Sequence, residues 1–216
     1  MRTRDAARDI VRCCRRLWEA GLIAGADGNV SVRLGRDRLL VTPRGLHKAE
    51  LTVRDLVEVS LSGSHRSGSR RATTELDLHL RAYRRHGDCG AVVHAHPPVA
   101  TAFAVAGEPM PADVLPELIL YLGDVPVAPY ATTGTPALGD VVEPLLARHV
   151  AVLLANHGAV TWGPDLATAR IRMESLEHAA RIIVAARTVG RPRPLDAAAV
   201  GKLEALRDQG RREQDA

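Results

Sequence analysis

The hydrophobic pattern of the chain predicts helices and strands in alternation. Several segments carry apolar residues every three or four positions, the spacing of an amphipathic helix, as at Ala6, Ile10 and Leu17. The predicted helices cover residues 4–20, 99–105 and 165–190, the last capped by Asp165. Another helix runs to about Arg85, with Thr73 and Thr74 as capping candidates, and two more begin at Thr135-Pro136 and after Pro194. Pro144 should bend or interrupt the helix that begins at Pro136, because its ring removes a backbone N–H.

Other segments show the alternation or the short apolar run of β-strands. The predicted strands are residues 30–34, 39–41, 56–61, 91–96, 125–129, 150–154 and 159–162. A turn at residues 35–37 joins the first two strands into a hairpin. Pro111–Leu122 is apolar but ambiguous. Ser62–Arg71, rich in serine, glycine and arginine, is predicted to be a surface loop, with a mobile lid as the alternative.

Mixed strands and helices, without an internal repeat or a clear boundary, predict one α/β domain with a largely antiparallel or mixed sheet. The length of 216 residues suits one domain with a real core, here assigned to residues 1–216 with a polar tail from about residue 208.

The composition argues against several classes of protein. Aromatic residues are only 3% of the chain, which disfavours a binder of single-stranded nucleic acid that stacks bases. The net charge of +4 comes almost wholly from arginine, because Lys48 and Lys202 are the only lysines. No segment approaches the ~18–20 continuous apolar residues of a membrane span, and residues 1–16 lack the apolar core of a signal peptide. Three cysteines without metal-motif spacing predict a reduced, cytoplasmic protein.

Two histidines stand at the end of a predicted strand. His94 and His96 are two residues apart, so a strand directs both imidazoles to one face. Pro97 and Pro98 then end the strand, because neither can donate to the ladder. The pair fits half of a metal site, and fits equally well two satisfied polar side chains. His157 also emerges from a buried strand, and it would complete a three-histidine site with an open coordination position if the strands are neighbours.

The other six histidines are predicted to have structural or surface roles. His79 and His178 lie within helices and are assigned to packing positions. Four others lie in loops or at the ends of elements and are predicted to be surface residues: His47, His65, His86 and His149.

Glu75 opens the helix that precedes the histidine pair. Its carboxylate either complements the helix dipole or acts as a general base beside a metal. Thr73 and Thr74, with the free N–H groups of the first helical turn, would suit an anion such as phosphate. The glycine-rich turn Gly25–Asn29 offers a second set of backbone donors, although such a turn alone is weak evidence.

The motifs occur in an order and spacing that resemble the class II aldolase/adducin family. The five matching segments are Gly28–Arg33, Thr42–Gly45, Thr73–Glu75, His94–His96 and Asn156–Gly158. The resemblance runs from the first helix to about Gly190, and Val127–Tyr130 and Gly134-Thr135 also match. Within the family, the motifs are most similar to those of the L-fuculose-1-phosphate aldolases.

The resemblance implies a three-layer α/β/α domain around a mixed, mostly antiparallel sheet. It implies that His94, His96 and His157 hold one zinc ion, or another divalent cation, with Glu75 as the acid/base beside it. The implied reaction cleaves a ketose phosphate to dihydroxyacetone phosphate and an aldehyde, through an enediolate that the metal stabilises. The residues implied to ring the phosphate are Gly28, Asn29, Thr42, Gly45, Thr73 and Thr74.

Two further expectations follow from the resemblance. Relatives are usually homotetramers, so a ring of C4 symmetry is expected, with Pro111–Leu122 as a candidate interface. A Schiff-base route is not expected, because Lys48 and Lys202 stand in polar contexts that suggest exposure.

The first phosphate turn departs from the family pattern. Relatives commonly have a threonine at the position of Ala26, so a hydroxyl donor is lost. Asp27 would repel a phosphate unless its side chain points away. Arg44 adds a candidate phosphate partner in a loop that is often neutral, and Thr73-Thr74 replace the usual serine pair.

The proton donor of the fuculose-phosphate aldolases is also missing. These enzymes use a tyrosine in the apolar segment after the metal strand, and by spacing that position is Leu115 here. Either Tyr121 or Glu117 takes over, or the aldehyde half of the substrate differs. The resemblance therefore implies the metal chemistry of the family, but it does not identify the sugar.

Other functions in the family share the same motifs. Glu75 argues against an L-ribulose-5-phosphate 4-epimerase, because the matching residue there is an aspartate. A methylthioribulose-phosphate dehydratase and a sugar-acid-phosphate decarboxylase remain open. An adducin-like interaction domain without catalysis is disfavoured, because such domains lack the histidine triad.

Overall fold

A computed structural model describes the backbone of residues 3–214 and the side chains through residue 210. The helices are α1 (Thr3–Glu19), α2 (Leu76–Arg85), α3 (Pro98–Ala106), α4 (Pro116–Tyr121), α5 (Pro136–Leu146), α6 (Leu166–Val189) and α7 (Ala197–Gln214), with a short 3-10 helix over Lys48–Glu50. The strands are β1 (Asn29–Gly35), β2 (Arg38–Val41), β3 (Val57–Val59), β4 (His65–Ser67), β5 (Ala91–Ala95), β6 (Val127–Ala128), β7 (Ala151–Leu154) and β8 (Gly158–Gly163).

The eight strands form one mixed sheet in the order β4-β3-β2-β1-β5-β8-β7-β6. Every neighbouring pair is antiparallel except β6 and β7, which are parallel. The predicted fold class is therefore confirmed. Strand β5 lies near the middle of the sheet between β1 and β8, so its residues have backbone partners on both sides. This central position is where the histidine pair begins.

Two hydrophobic cores lie on opposite faces of the sheet. Alternate residues of β5 separate into them: Ala91, Val93 and Ala95 face one core, and Val92 faces the other. The first core is covered by α1, α3, α4 and α6, and the second by α2 and α5. Helix α7 packs against α4. The result is the three-layer arrangement that the family resemblance implies.

Several local elements differ from the prediction or resolve what it left open. The loop predicted over Ser62–Arg71 contains the short edge strand β4, which pairs with β3. Helix α2 begins at Leu76 and its N-cap is Glu75, not Thr73 or Thr74, the predicted capping candidates. Helix α5 is not interrupted at Pro144 and continues to Leu146. The ambiguous segment Pro111–Leu122 contains α4.

The long helix α6 follows its prediction. Asp165 is the N-cap, and its side chain accepts a hydrogen bond from the Thr168 N–H. The C-terminal segment predicted as a polar tail continues as α7 to Gln214, and its last two residues lie outside the described part of the chain. Over residues 3–214, none of the helices combines the length and apolar character needed to cross a bilayer.

Candidate metal centre

His94 and His96 meet at the end of β5. His94 is fully buried, and its Nδ1–H donates to the Ala159 carbonyl at 2.9 Å, which leaves the lone pair on Nε2. His96 follows directly after the strand, and its Nε2 lies 3.1 Å from Nε2 of His94. The predicted placement of both imidazoles on one face is confirmed. Two ring nitrogens at this distance repel each other unless a proton or a cation lies between them.

His157 reaches the pair through the tight turn between β7 and β8. Asn156 has a φ of +57°, the left-handed conformation that asparagine tolerates. A Cβ on Gly158 would lie 2.5 Å from the Ala95 carbonyl oxygen, so only glycine lets the turn approach β5 this closely. The His157 ring centroid lies 4.7 Å from that of His94 and 4.9 Å from that of His96.

The three imidazoles fit a divalent cation. Their ligand nitrogens all lie within 4.8 Å of one another. Burial, followed by repulsion from His94, lowers the pKa of His96 and that of His157 to about 4, so both are neutral near pH 7, the form that ligates metals. Among the described residues, Nδ1 of His157 and Oε1 of Glu75 are buried without a hydrogen-bond partner. Buried polar atoms without partners beside three imidazoles are compatible with a cation site.

Glu75 lies against this triad. Its Oε2 is 3.1 Å from Nε2 of His94, and its Oε1 is 3.2 Å from Nε2 of His157. Burial alone would raise the pKa of Glu75, but attraction to His94 and the hydrogen bond from Asn29 hold it well below its usual range. In turn, attraction to Glu75 outweighs burial at His94 and raises the pKa of that imidazole. Glu75 is therefore a carboxylate held beside the metal position.

Asn29 contacts this carboxylate directly. The sequence predicted it as a phosphate contact, and the structure shows its Nδ2–H donating to Oε2 of Glu75 at 2.8 Å. Behind it, the buried ring of His79 contacts Asn29 Oδ1 and Ser31 Oγ. The predicted packing role of His79 is thus accompanied by a polar one. His178, assigned to packing as well, is instead exposed on α6.

The loops that carry the predicted phosphate residues adjoin one another. The Val30 N–H donates to Oγ1 of Thr42, and the Thr73 N–H donates to the Thr42 carbonyl at 3.1 Å. Gly28 and Gly45 both have positive φ angles, +69° and +72°. A Cβ on Gly28 would lie 2.7 Å from the His94 carbonyl oxygen, so this glycine lets the turn pack against the metal strand. Thr74 lies beside Gly134.

Lys48 was expected to be exposed, and this was wrong. Its side chain is 2% exposed, and its Nζ donates to the carbonyls of Ala26 at 2.6 Å and Leu46 at 3.0 Å. Desolvation lowers the pKa of the ammonium, with partial compensation by Cys14, Asp27 and Glu75. The lysine joins the two phosphate-loop segments, and its hydrogen bonds keep the nitrogen occupied. Sequence spacing contains no signal for this contact.

Besides Lys48, a buried carboxylate caps the N-terminus of α3, the helix that follows His96. The carboxylate of Glu177 on α6 accepts hydrogen bonds from the N–H groups of Val99 and Ala100, at 2.9 to 3.2 Å, and from Arg181. It supplies the N-terminal cap that Pro97, the residue at the N-cap position, has no polar side chain to provide. A carboxylate nearly 80 residues away in sequence could not be assigned to this end of α3 from the sequence.

The candidate phosphate-turn and proton-donor residues differ in their exposure. Asp27 has its Oδ2 3.6 Å from Nδ1 of His96, so its side chain faces the triad. Leu115, the position of the family tyrosine, is the N-cap residue of α4 and packs against the first core. Tyr121 is 52% exposed, and Glu117 lies on the surface of the same helix.

A cavity of about 560 Å³ lies at the other end of the same strands. It is bordered by Arg33 at the end of β1, Gly90 before β5 and Pro164 after β8, whereas the triad stands at the opposite ends of β5 and β8. Three of its arginines are already paired. Arg12 and Arg170 bind carboxylates of their own helices, and Arg33 binds two backbone carbonyls.

Known proteins resemble this chain over most of its length. Residues 8–184 match the family described as Class II Aldolase and Adducin N-terminal domain. The 3-oxo-tetronate 4-phosphate decarboxylase of Pectobacterium atrosepticum is 36% identical over 182 residues, covering 82% of this chain and 83% of that protein. The 5-deoxy-D-ribulose 1-phosphate aldolase of Bacillus thuringiensis serovar kurstaki is 35% identical over 190 residues, covering 87% and 88%. A solved L-fuculose 1-phosphate aldolase has a TM-score of 0.87 at 31% identity, over 94% of this chain and 95% of that one.

Proposed function

The chain belongs to the class II aldolase and adducin family, and from that premise we propose that it is a zinc-dependent aldolase. The proposed substrate is a ketose phosphate similar to L-fuculose 1-phosphate, which is cleaved to dihydroxyacetone phosphate and an aldehyde. The observation that carries the proposal is the convergence of His94, His96 and His157 with the carboxylate of Glu75 beside them. An adducin-like interaction module would have no use for this arrangement.

The three imidazoles would hold the ion. When bound, the ion polarises the ketose carbonyl and stabilises the negative charge that develops next to it as the carbon–carbon bond breaks. Zinc is proposed because three histidines with an open position are typical of catalytic zinc, and another divalent cation could occupy the same ligands.

Glu75 would carry the proton at the reacting carbon. In the direction of synthesis, the carboxylate of Glu75 would take a proton from the carbon next to the ketose carbonyl, and the electron pair left on that carbon would form the new bond to the aldehyde. In the cleavage direction, the electron pair of the broken bond stays with the ketose fragment and the same proton returns from Glu75 to that carbon, while the hydroxyl proton of the aldehyde half would pass to Tyr121 or Glu117, the candidates for the place of the family tyrosine. The side chain is 9% exposed, so bulk water has little access to the proton during transfer.

The phosphate group is proposed to bind where the three loops adjoin. The residues proposed to surround it are Gly28, Asn29, Thr42, Gly45, Thr73 and Thr74. Support comes from the positive φ of both glycines, which suits close approach of backbone N–H groups to an anion. Asn29 would also orient the carboxylate of Glu75, to which it donates a hydrogen bond. The carboxylate of Asp27 faces His96, so its negative charge would lie toward the metal ligands rather than toward the phosphate.

Decarboxylation is the second candidate, favoured by Leu115. Retro-aldol cleavage requires a base for the hydroxyl proton of the aldehyde half, and leucine offers none. Loss of carbon dioxide from a 3-oxo acid leaves the same negative charge beside a carbonyl but needs no such base. The 36% identity to a 3-oxo-tetronate 4-phosphate decarboxylase points in the same direction. Glu75 would again protonate the carbon.

A substrate panel tests both candidates. Purified protein is incubated with ketose 1-phosphates, ketose 5-phosphates and 3-oxo acid phosphates, with and without a chelator. The aldolase proposal predicts an aldehyde and dihydroxyacetone phosphate in equal amounts, abolished by the chelator. Carbon dioxide with a triose phosphate would select the decarboxylase, and an epimerised product would overturn both.

Three properties of the whole protein complete the proposal. We propose one catalytic domain over residues 1–216, assembled as a homotetramer, with the apolar segment around α4 as the candidate interface. Location in the cytoplasm is proposed because Cys13, Cys14 and Cys89 are all free and buried. Size-exclusion chromatography with light scattering would report the number of chains.

A further inference from the structure

A line of buried polar side chains leads away from Glu75 into the protein. It consists of Asn29 and Ser31 on β1, and of His79 and Tyr83 on α2. Burial leaves Asn29 5%, Ser31 0%, His79 0% and Tyr83 2% exposed. Burying four polar side chains in a row costs stability unless every group is paired. Here each of the four side chains has a hydrogen-bond partner in the line.

The spacing of the two elements explains how the line forms. Glu75, His79 and Tyr83 are four residues apart along α2 and its N-cap, and Asn29 and Ser31 are two apart on β1. Four residues of helix rise by about 6 Å, and two residues of strand by about 6.6 Å. Side chains of the helix and the strand can therefore alternate along one continuous line.

The direction of each hydrogen bond follows from the carboxylate. Ionised Glu75 only accepts, so Asn29 must present its NH₂ group, at 2.8 Å, to Oε2 of Glu75. The Oδ1 of Asn29 then faces the ring of His79 and must accept from Nε2–H. The amide orientation of Asn29 and the tautomer of His79 are thus determined together.

The same logic continues to the end of the line. With its proton on Nε2, the His79 ring has a lone pair on Nδ1, which accepts from the Ser31 hydroxyl at 2.6 Å. The Ser31 oxygen in turn accepts from the Tyr83 hydroxyl at 2.8 Å. Burial, followed by repulsion from His94, lowers the pKa of His79 to about 3, so the ring is neutral as this pattern requires. All four hydrogen bonds point toward Glu75.

We propose that this one-way relay, from Tyr83 through Ser31, His79 and Asn29, is a positioning device that fixes the carboxylate of Glu75. The proposal rests on the role of Glu75 proposed above. The relay occupies Oε2 and leaves Oε1, buried without a hydrogen bond within the described chain and 3.2 Å from Nε2 of His157, as the oxygen that exchanges the proton. His79 is the central positioning residue, because without its donor the Asn29 amide can turn its oxygen toward the carboxylate.

The first test measures the tautomer of His79 directly. In protein with ¹⁵N-labelled histidine, stripped of metal, the ring nitrogen shifts of His79 should show a neutral ring protonated on Nε2 from pH 5 to 8. The Ser31→Ala variant should weaken that preference, because Nδ1 loses its donor. A ring protonated on Nδ1, or a charged ring, would overturn the relay. This readout does not depend on activity, so it separates failure of the relay from failure of the proposed reaction.

The second test asks whether His79 acts through Glu75. The His79→Leu variant should lose about 10–100-fold in kcat with KM within twofold and metal content unchanged. His79→Gln, whose amide can still donate to Asn29, should recover most of the loss. In a Glu75→Ala background, His79→Leu should have no further effect. An equal loss in both backgrounds would show a merely structural role and would overturn the proposal, as would full activity of His79→Leu.

Discussion

Replacing Glu177 with alanine is expected to destabilise the folded protein by about 4 kcal/mol. The carboxylate is 2% exposed and accepts from the N–H groups of Val99 and Ala100, the first free donors of α3. Alanine leaves both donors without a partner. Each buried unsatisfied donor costs about 1–3 kcal/mol, and the favourable charge at the helix N-terminus is lost as well.

Urea unfolding at fixed chain concentration, with chelator present, measures this difference. For a chain of this length, about 4 kcal/mol corresponds to a decrease in Tm of roughly 12 °C. Metal affinity should also fall by about tenfold, because α3 begins two residues after His96 and its start positions that ligand.

Two variants serve as controls. Glu177→Gln keeps one oxygen that can accept, so an intermediate loss of about 2 kcal/mol is expected. Arg181→Ala removes only the partly exposed cation that pairs with Glu177, which is worth at most about 1 kcal/mol. The reasoning is refuted if Glu177→Ala costs less than about 1 kcal/mol, or if Arg181→Ala costs as much as Glu177→Ala.

Three further predictions concern the site. Glu75→Gln should keep the metal and lose about 10²–10⁴-fold in turnover; metal analysis with kinetics checks this, and unchanged turnover would remove Glu75 from the mechanism. Gly28→Ala should cost about 2–4 kcal/mol, because its φ is +69° and the new Cβ would lie 2.7 Å from the His94 carbonyl oxygen. Gly25→Ala is the control: its φ is also positive, but a Cβ there would meet open space, so a loss of about 1–2 kcal/mol is expected. If urea unfolding shows the same loss for both variants, the clash at Gly28 is contradicted. Burial holds the pKa of His79 at about 3 against the ordinary 6.5, so the unfolded chain binds more protons and stability falls as the pH drops from 6.5 toward 3. His79→Gln should remove about 1.4 kcal/mol per pH unit from that slope between pH 6 and 4, and an unchanged slope would contradict a neutral buried ring.

The local features of the site could be predicted from the sequence because they depend on short spacings. The period of two in a strand places His94 and His96 on one face, and the structure confirms it. Asp165 before a long apolar-periodic segment correctly predicts the start of α6. In both cases the governing contacts lie within four residues along the chain.

The assembly of the site depends on contacts between distant segments. The approach of His157 to the pair requires β8 to lie beside β5, which only strand order decides. The burial of Lys48 depends on carbonyls of two loops folding around it, and a lysine in a polar segment carries no sign of that. The contact of Asn29 with Glu75 forms only because the start of α2 lies beside β1 in the folded protein. The family motifs supplied the triad, whereas these supporting contacts required the structure.

The most direct measurement of the central claim is the metal content and activity of the wild type beside His157→Ala. The wild type is expected to bind one divalent ion per chain, to lose activity with a chelator and to regain it with zinc. His157→Ala should bind no stoichiometric ion and show no turnover, while remaining folded by circular dichroism. Full activity of a metal-free wild type, or stoichiometric metal in His157→Ala, would contradict a site built from three converging imidazoles.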